Sequence, residues 1–286
     1  MKLHATAGGI THPAEPAVED TELDLLLEGI HRIFGYDFRQ YARSTIRRRL
    51  GEIRTKRRLH NLSELQGQAL RDPELLNEIV SALSVQVSSF FRDARFYLAF
   101  RRHVVPILKT YPSVRIWHAG CATGEEVYSI AIVLHEEGLL DKCRLYATDI
   151  NTNALKTASS GAYTQADVAV SETAYHRAGG TGRLLNYFQS SGEEAPVVPE
   201  LKNRVTFFQH NLVTDDSFNE FHVILCRNVL IYFDKGLQNR IHLLIYNSLV
   251  RLGILGLGAN ETLHGTARET HYKPLEETAR LYRRVD

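Results

Sequence analysis

Two glycines and three acids carry the first chemical signal in the chain. Gly120 and Gly124 lie in the run His118-Ala119-Gly120-Cys121-Ala122-Thr123-Gly124, Glu125 and Glu126 follow directly, and Asp149 comes later. In a doubly wound sheet, an acid roughly twenty residues or a little more past a glycine turn presents its carboxylate to ribose hydroxyls. The glycines are separated by three residues, which does not match the G-x-G-x-x-G fingerprint of nicotinamide and flavin sites. Two acids at the helix start would also repel a pyrophosphate, which needs bare N-terminal amides. S-adenosylmethionine has no phosphate and carries a positive sulfonium and ammonium, so it suits these acids. Ordinary charge complementation at a helix N-terminus is the bland alternative.

These residues need a strand, turn and helix to hold them. Arg115-Ile116-Trp117 reads as a buried strand, Glu125 to Leu134 as the outgoing helix, and Cys143 to Thr148 as a second strand that stops at Asp149. Asn153 to Ser160 reads as a crossover helix ended by Gly161. The next convincing strands are Arg204 to Gln209, ended by His210-Asn211-Leu212, and Phe221 to Leu225, running into Cys226-Arg227-Asn228-Val229-Leu230-Ile231-Tyr232-Phe233. Polar residues at the ends of the Asp149, Asn211 and Asn228 strands would converge on the crevice where open α/β sheets bind ligands. A helix over Leu237 to Arg251, a strand around Gly253 to Gly258 and a closing hairpin ending at Arg284 would complete an α/β, Rossmann-like sheet.

The remaining chain divides as follows. Residues 1–20 have no apolar period and read as a disordered tail. Residues 21–90 read as short helices, with Asp72-Pro73-Glu74 a good helix start, and form an all-helical N-terminal domain. Residues 91–112 hold a linker helix over Ala94 to Lys109. Residues 113–286 hold the sheet, with an insert at about 162–203 punctuated by Gly179-Gly180, Gly182, Pro196 and Pro199, partly helical and then made of short antiparallel strands. An exposed sheet edge in that insert could capture a peptide by strand addition. Between the domains, Val85 to Asp93 places Ser88 and Arg92 four apart, on one face if the segment is helical.

The helical domain contains the main charge cluster. From His31 to His60, ten basic side chains stand against Asp37 and Glu52, a local net charge of +8. At helical spacing Arg43, Arg47, Arg54 and Arg58 fall within about 60° of one another, beside an apolar edge of Ile46, Leu50 and Ile53. The stripe is either a docking surface for an acidic partner or a solvated face.

Length and composition narrow the alternatives. The 286 residues suffice for two domains, and the net charge of +1 means that binding to an acidic partner depends on local clustering. Cys121, Cys143 and Cys226 are odd in number, far apart and match no zinc spacing, so no metal site is expected and the thiols read as buried in a reducing compartment. No stretch reads as a signal peptide, and the most apolar tract is interrupted by Asn247 and Arg251, which points to a cytoplasmic protein without direct membrane insertion.

With these residues in view, the chain resembles the CheR-type chemotaxis receptor methyltransferases, which are S-adenosylmethionine-dependent protein-glutamate O-methyltransferases. The matching motifs are Ser89-Phe90-Phe91-Arg92-Asp93, Ile116 through Glu126, Ala147-Thr148-Asp149-Ile150, Asn211-Leu212 and Cys226 through Phe233, in order over about residues 21 to 286. The resemblance implies a helical N-terminal domain, a class I methyltransferase sheet and a small inserted β-subdomain. It implies cofactor contacts from Gln86, Ser88 and Arg92, from Gly120 and Gly124 with one of Glu125 and Glu126, from Asp149, from Asn211 and Leu212, and from Arg227 and Asn228. The chain departs from the family pattern at Gln86, where Asn is usual, at Ser88, where Thr is usual, at Val127, where Pro often follows the acids, and at Asn260-Glu261, where Ser-Glu is common.

The implied reaction converts S-adenosylmethionine to S-adenosylhomocysteine and esterifies glutamate carboxylates on the cytoplasmic helical bundle of methyl-accepting receptors. In that reading Arg92 holds the cofactor carboxylate or orients the substrate, Tyr232 hydrogen-bonds at the reaction centre, and Arg43, Arg47, Arg54 and Arg58 dock the bundle. One rival is a nucleic-acid methyltransferase, against which stands Arg227-Asn228-Val229-Leu230 where base amino-methylation generally uses an Asn/Asp-Pro-Pro-aromatic turn. Another is a non-catalytic cofactor-binding scaffold.

Overall fold

The computed structural model of the protein describes residues 15–84, 88–189 and 192–286. The chain forms two compact units, one of residues 15–39 and 43–83, the other of residues 40–42 and 84–286. Most of the segment expected as a tail, residues 1–14, lies outside the described residues, as do Val85, Gln86 and Val87.

The first unit is all helical: α1 (Glu15–Phe34), α2 (Arg43–Lys56), α3 (Leu62–Ala69) and α4 (Pro73–Leu83). Its core is the set of apolar residues whose spacing matches the helical turn: Leu23, Leu26, Leu27 and Ile30 of α1, Ile46, Leu50 and Ile53 of α2, Leu65 of α3, and Leu75, Ile79 and Leu83 of α4 are all buried. Helix α1 begins seven residues before Glu22, so residues 15–20 are helical and not a tail. Glu19 and Asp20 in that extension pair with Arg54 and Arg47. Helix α2 ends sooner than the arginine stripe requires. Arg58 has φ 57°, and Leu59 N–H bonds back to Arg54 O at 3.0 Å, so Arg58 occupies a left-handed cap and leaves the helix face it was expected to share.

The second unit opens with α5 (Ala94–Ala99), a π turn over Phe100–Val104, and α6 (Val105–Lys109). Val105 N–H reaches Phe100 O, and Pro106 has no N–H to give an α-type bond, so the helix widens there. This helix is not a linker. Phe96, Tyr97, Phe100, Val104 and Leu108 are buried in the same cluster as the sheet residues Val114, Ile116, Leu145 and Val223. Its burial moves the boundary of the helical unit back from 90 to Leu83. The segment 88–93 is a turn, with Phe91 (φ 56°) and Asp93 (φ 58°) both left-handed, so Ser88 and Arg92 do not share a helix face.

The sheet and its connections follow in order: β1 (Val114–Ala119), α7 (Glu125–Glu136), β2 (Cys143–Asp149), α8 (Thr152–Ser160), β3 (Ala162–Thr164), α9 (Gln165–Val170), α10 (Glu172–Arg177), β4 (Glu194–Pro196), α11 (Pro199–Lys202), β5 (Val205–Gln209), β6 (Phe221–Cys226), α12 (Lys235–Ser248), β7 (Leu249–Leu257), β8 (Tyr272–Glu276) and β9 (Leu281–Arg284). Among the described residues seven strands pair in the order β5-β2-β1-β6-β7-β9-β8, parallel from β5 to β7 and antiparallel thereafter, while β3 and β4 form a separate antiparallel pair. Strand β7 begins at Leu249, inside the stretch read as helix, and kinks at Leu252 (φ 64°) before Gly253. Strand order reverses between β1 and β6, and a crevice opens at the carboxyl ends of these two strands.

Candidate active site

Ser88, Arg92, Gly120, Cys121, Ala122, Glu126, Arg227, Asn228 and Tyr232 line this crevice. Its floor is the glycine turn. Gly120 N–H and Cys121 N–H both donate to Thr148 O, at 2.8 and 2.9 Å, and lock the turn to β2. Gly120 has φ 77°, and a Cβ there would stand 2.5 Å from Val229 Cγ2. Gly124 has φ 94°, and a Cβ would stand 2.9 Å from Ala158 Cβ. Both positions therefore require glycine, for conformation and for space.

Asp149 is buried at the end of β2, and its two oxygens accept Ala122 N–H and Asn151 N–H, each at 2.9 Å. Burial raises its pKa, opposed by backbone hydrogen bonds from Asn151, Ala122 and Ile150. A carboxylate oxygen has more than one lone-pair site, so each can still accept a hydroxyl. The acid thus fixes the turn from behind the crevice.

The two glutamates at the start of α7 diverge. Glu125 is turned to Thr123 Oγ1, at 2.9 and 2.7 Å, and to Ser88; burial outweighs these bonds and raises its pKa. Glu126 lines the crevice and reaches Arg227 Nη1 at 2.8 Å and His118 Nδ1 at 3.3 Å. Burial opposes its ionisation, but the Arg227 charge and the His118 bond prevail and hold it below the usual carboxylate range. The Arg227 side chain is 2 % exposed, pairs also with Asp93 Oδ2 at 3.1 Å, and stacks 3.8 Å above the Phe96 ring centroid. Arg227 is therefore an internal cation that sets Glu126 in place, and its charge is compensated from two sides.

Beside Arg227, Asn228 has φ 61°. This left-handed residue is held by Glu261, a buried acid that accepts Asn228 N–H (2.9 Å), Val229 N–H (2.8 Å), Leu230 N–H (2.7 Å) and Gly258 N–H (2.6 Å). Sequence reasoning noted Glu261 only as part of a departure from a family pattern; an acid just past an apolar strand gives no local sign of its partners. A second support was also missed. Residues 40–42 run along the turn that carries Tyr232: Ala42 N–H bonds Tyr232 O at 2.9 Å, Asp234 N–H bonds Gln40 O at 3.0 Å, and the Tyr41 and Phe233 rings meet edge-on at 4.7 Å.

Of the residues singled out in the sequence, Ser88, Arg92, Gly120, Glu126, Arg227, Asn228 and Tyr232 meet in the crevice, with Gly124, Glu125 and Asp149 immediately behind it. Gln86 lies outside the described residues. Asn211 and Leu212 do not line the crevice: Asn211 Oδ1 accepts Val213 N–H at 3.0 Å, and Leu212 lines a separate cavity with Asp215, Arg240 and Leu243. Among the described residues no group of His, Cys, Asp and Glu could hold a metal, and no helix is long and apolar enough to cross a membrane. Burial pushes the Cys121 thiol well up, so it is no nucleophile at neutral pH.

The lining suits an amino-acid nucleoside. It offers the Glu126 carboxylate, the exposed Arg92 guanidinium and neutral hydrogen-bonding groups on Ser88, Asn228 and Tyr232, while two acids occupy the α7 N-terminus where a phosphate would need bare amides. Comparison with known proteins agrees. Residues 86–280 match the family described as CheR methyltransferase, SAM binding domain, and residues 21–84 match CheR methyltransferase, all-alpha domain. The chain is 40% identical over 265 residues to the Pseudomonas putida protein Cher3, covering 93% of this chain and 97% of that protein. It is 30% identical over 251 residues to the chemotaxis protein methyltransferase of Listeria monocytogenes, covering 86% and 92%. A glycine turn closed by Asp149, an acid set by a buried arginine and a donor set suited to S-adenosylmethionine accompany these matches, and the chain belongs to the CheR family of S-adenosylmethionine-dependent methyltransferases.

Proposed function

We propose that this protein works in the cytoplasm and transfers the methyl group of S-adenosylmethionine to glutamate side chains on the helical bundle of chemotaxis receptors. The observation that carries the reading is the grouping of Arg92, Glu126, Asn228 and Tyr232 around one crevice at the switch point. When bound, the cofactor supplies an electrophilic methyl on a sulfonium. A glutamate carboxylate, with an unperturbed pKa of about 4.3, is ionised at neutral pH, so this chain need not provide a general base. Its residues have to position the acceptor in line and keep water out. A carboxylate oxygen forms the new bond to the methyl carbon, the sulfur–carbon bond breaks, the electron pair stays on sulfur, and no proton moves. Charge is quenched as the reactants meet, so a crowded cationic pocket would favour the ground state over the transition state. That the buried Arg227 is neutralised by Glu126 and Asp93 supports this reading.

In the proposed arrangement Arg92 holds the cofactor carboxylate, Glu126 faces its ammonium, Asp149 takes the ribose hydroxyls, and the Tyr232 hydroxyl acts at the reaction centre. Arg43, Arg47 and Arg54 on α2 dock the acidic receptor surface. The test is incubation with methyl-labelled cofactor and either a receptor cytoplasmic fragment or RNA. Label is expected on the receptor fragment and released as methanol by mild alkali, as a carboxyl methyl ester requires. Alkali-stable label, or label on RNA alone, refutes the reading.

A further inference from the structure

The basic face of α2 is already occupied, by acids of the same unit. Arg54 pairs with Glu19 at 3.6 Å, Arg47 with Asp20, and Arg43 with Asp24. The acids ascend along α1 as the arginines descend along α2, so the two helices run in opposite senses with one acid set against each of Arg43, Arg47 and Arg54. Arg58, off the helix in its left-handed cap, has no ion pair among the described residues.

How firmly this ladder is held depends on what else anchors the start of α1. The apolar residues that fasten the helix to the core begin at Leu23. Ahead of it, Val18 is 41% exposed and no side chain from Ala17 to Glu22 is buried. The ion pairs are themselves open to water, with side-chain exposures of 33% to 44% for the arginines and 48% to 60% for the acids. Pairs of that kind contribute little net stability and weaken with salt. The segment bearing Glu19 and Asp20 is thus attached by exchangeable contacts, while the arginines on α2 sit on a helix anchored by the buried Ile46, Leu50 and Ile53.

We propose that Glu19, Asp20 and Asp24 act as an internal competitor for the α2 arginines, an acidic helical ladder that the acidic helix surface of the partner must displace in order to dock. The proposal rests on the reading of α2 as the docking surface. It makes the affinity for the partner a difference between two similar sets of ion pairs. Weakly acidic surfaces then fail to exchange with the ladder, whereas a dense row of acids succeeds.

The experiment uses the full chain, methyl-labelled S-adenosylmethionine and a receptor cytoplasmic fragment as acceptor, at low and at high salt. The variants are Glu19→Gln/Asp20→Asn/Asp24→Asn and, separately, Arg47→Glu/Arg54→Glu. Neutralising the acids is expected to lower the acceptor KM by about three- to tenfold at low salt, with kcat and melting temperature unchanged and the difference lost at high salt. Arg47→Glu/Arg54→Glu is expected to raise KM. An unchanged or raised KM in the acid-neutralised protein, with KM raised in Arg47→Glu/Arg54→Glu, overturns the competition and leaves the docking surface standing. An unchanged KM in both overturns the docking surface itself.

Discussion

Glu261 accepts the backbone N–H of Asn228 at 2.9 Å, so a buried carboxylate on the loop after β7 holds a left-handed residue on the loop after β6. The same carboxylate takes three further amides, from Val229, Leu230 and Gly258. Glu261→Gln keeps one acceptor oxygen and points an NH2 group at amides that also donate. Leaving two such amides unsatisfied costs about 3 kcal/mol. Urea unfolding should register that loss, and calorimetry with S-adenosylhomocysteine should register weaker binding because the Asn228 turn loosens. Unchanged cofactor affinity would detach Glu261 from the site.

Asp149 holds the glycine turn and is proposed to take the ribose hydroxyls, so its substitution should disturb both. Asp149→Ala removes the acceptors expected to meet the ribose and also the bond to Ala122 N–H. A charge-assisted hydrogen bond is worth about 1.5 to 3 kcal/mol, so affinity for S-adenosylmethionine should fall more than tenfold. A lowered melting temperature with normal affinity would restrict Asp149 to the turn.

Arg92 and Tyr232 share the crevice but should separate kinetically. Arg92→Ala should weaken cofactor binding by about tenfold, whereas Tyr232→Phe should lower kcat by about tenfold to a hundredfold with cofactor affinity nearly constant. Steady-state kinetics with varied cofactor distinguishes the two, and a Tyr232→Phe enzyme of full kcat would return that hydroxyl to a packing role.

His242 on α12 is buried, and burial pushes its pKa from 6.5 down to about 4. Between those values the unfolded chain binds a proton that the folded chain does not. Its contribution is intact above pH 6.5 and is lost on acidification toward pH 4, to a total of about 3 kcal/mol. Melting temperature should therefore fall across that window, and His242→Leu should flatten the slope there. An identical slope in the variant would assign the acid sensitivity to other groups.

The sequence by itself determined the sheet and the floor of the site. Strand, turn and helix around Gly120 and Gly124 follow from local rules, because an apolar strand run, glycines able to take the left-handed turn and acids opening a helix are all written in consecutive residues. The apolar period of α1 to α4 likewise marks its own buried face. Only the tertiary structure decided what lies behind that floor. Arg227 and Glu126 are 101 positions apart, Asn228 and Glu261 33 apart, and nothing local links an acid to an amide brought to it by a neighbouring strand. Local period misjudged residues 88–93 and Arg58, since left-handed residues break a helix without glycine or proline to announce it. The basic stripe shows the same division. Its arginines were legible from their spacing on α2, but the acids that meet them belong to another helix, and long-range pairing is a property of the folded unit.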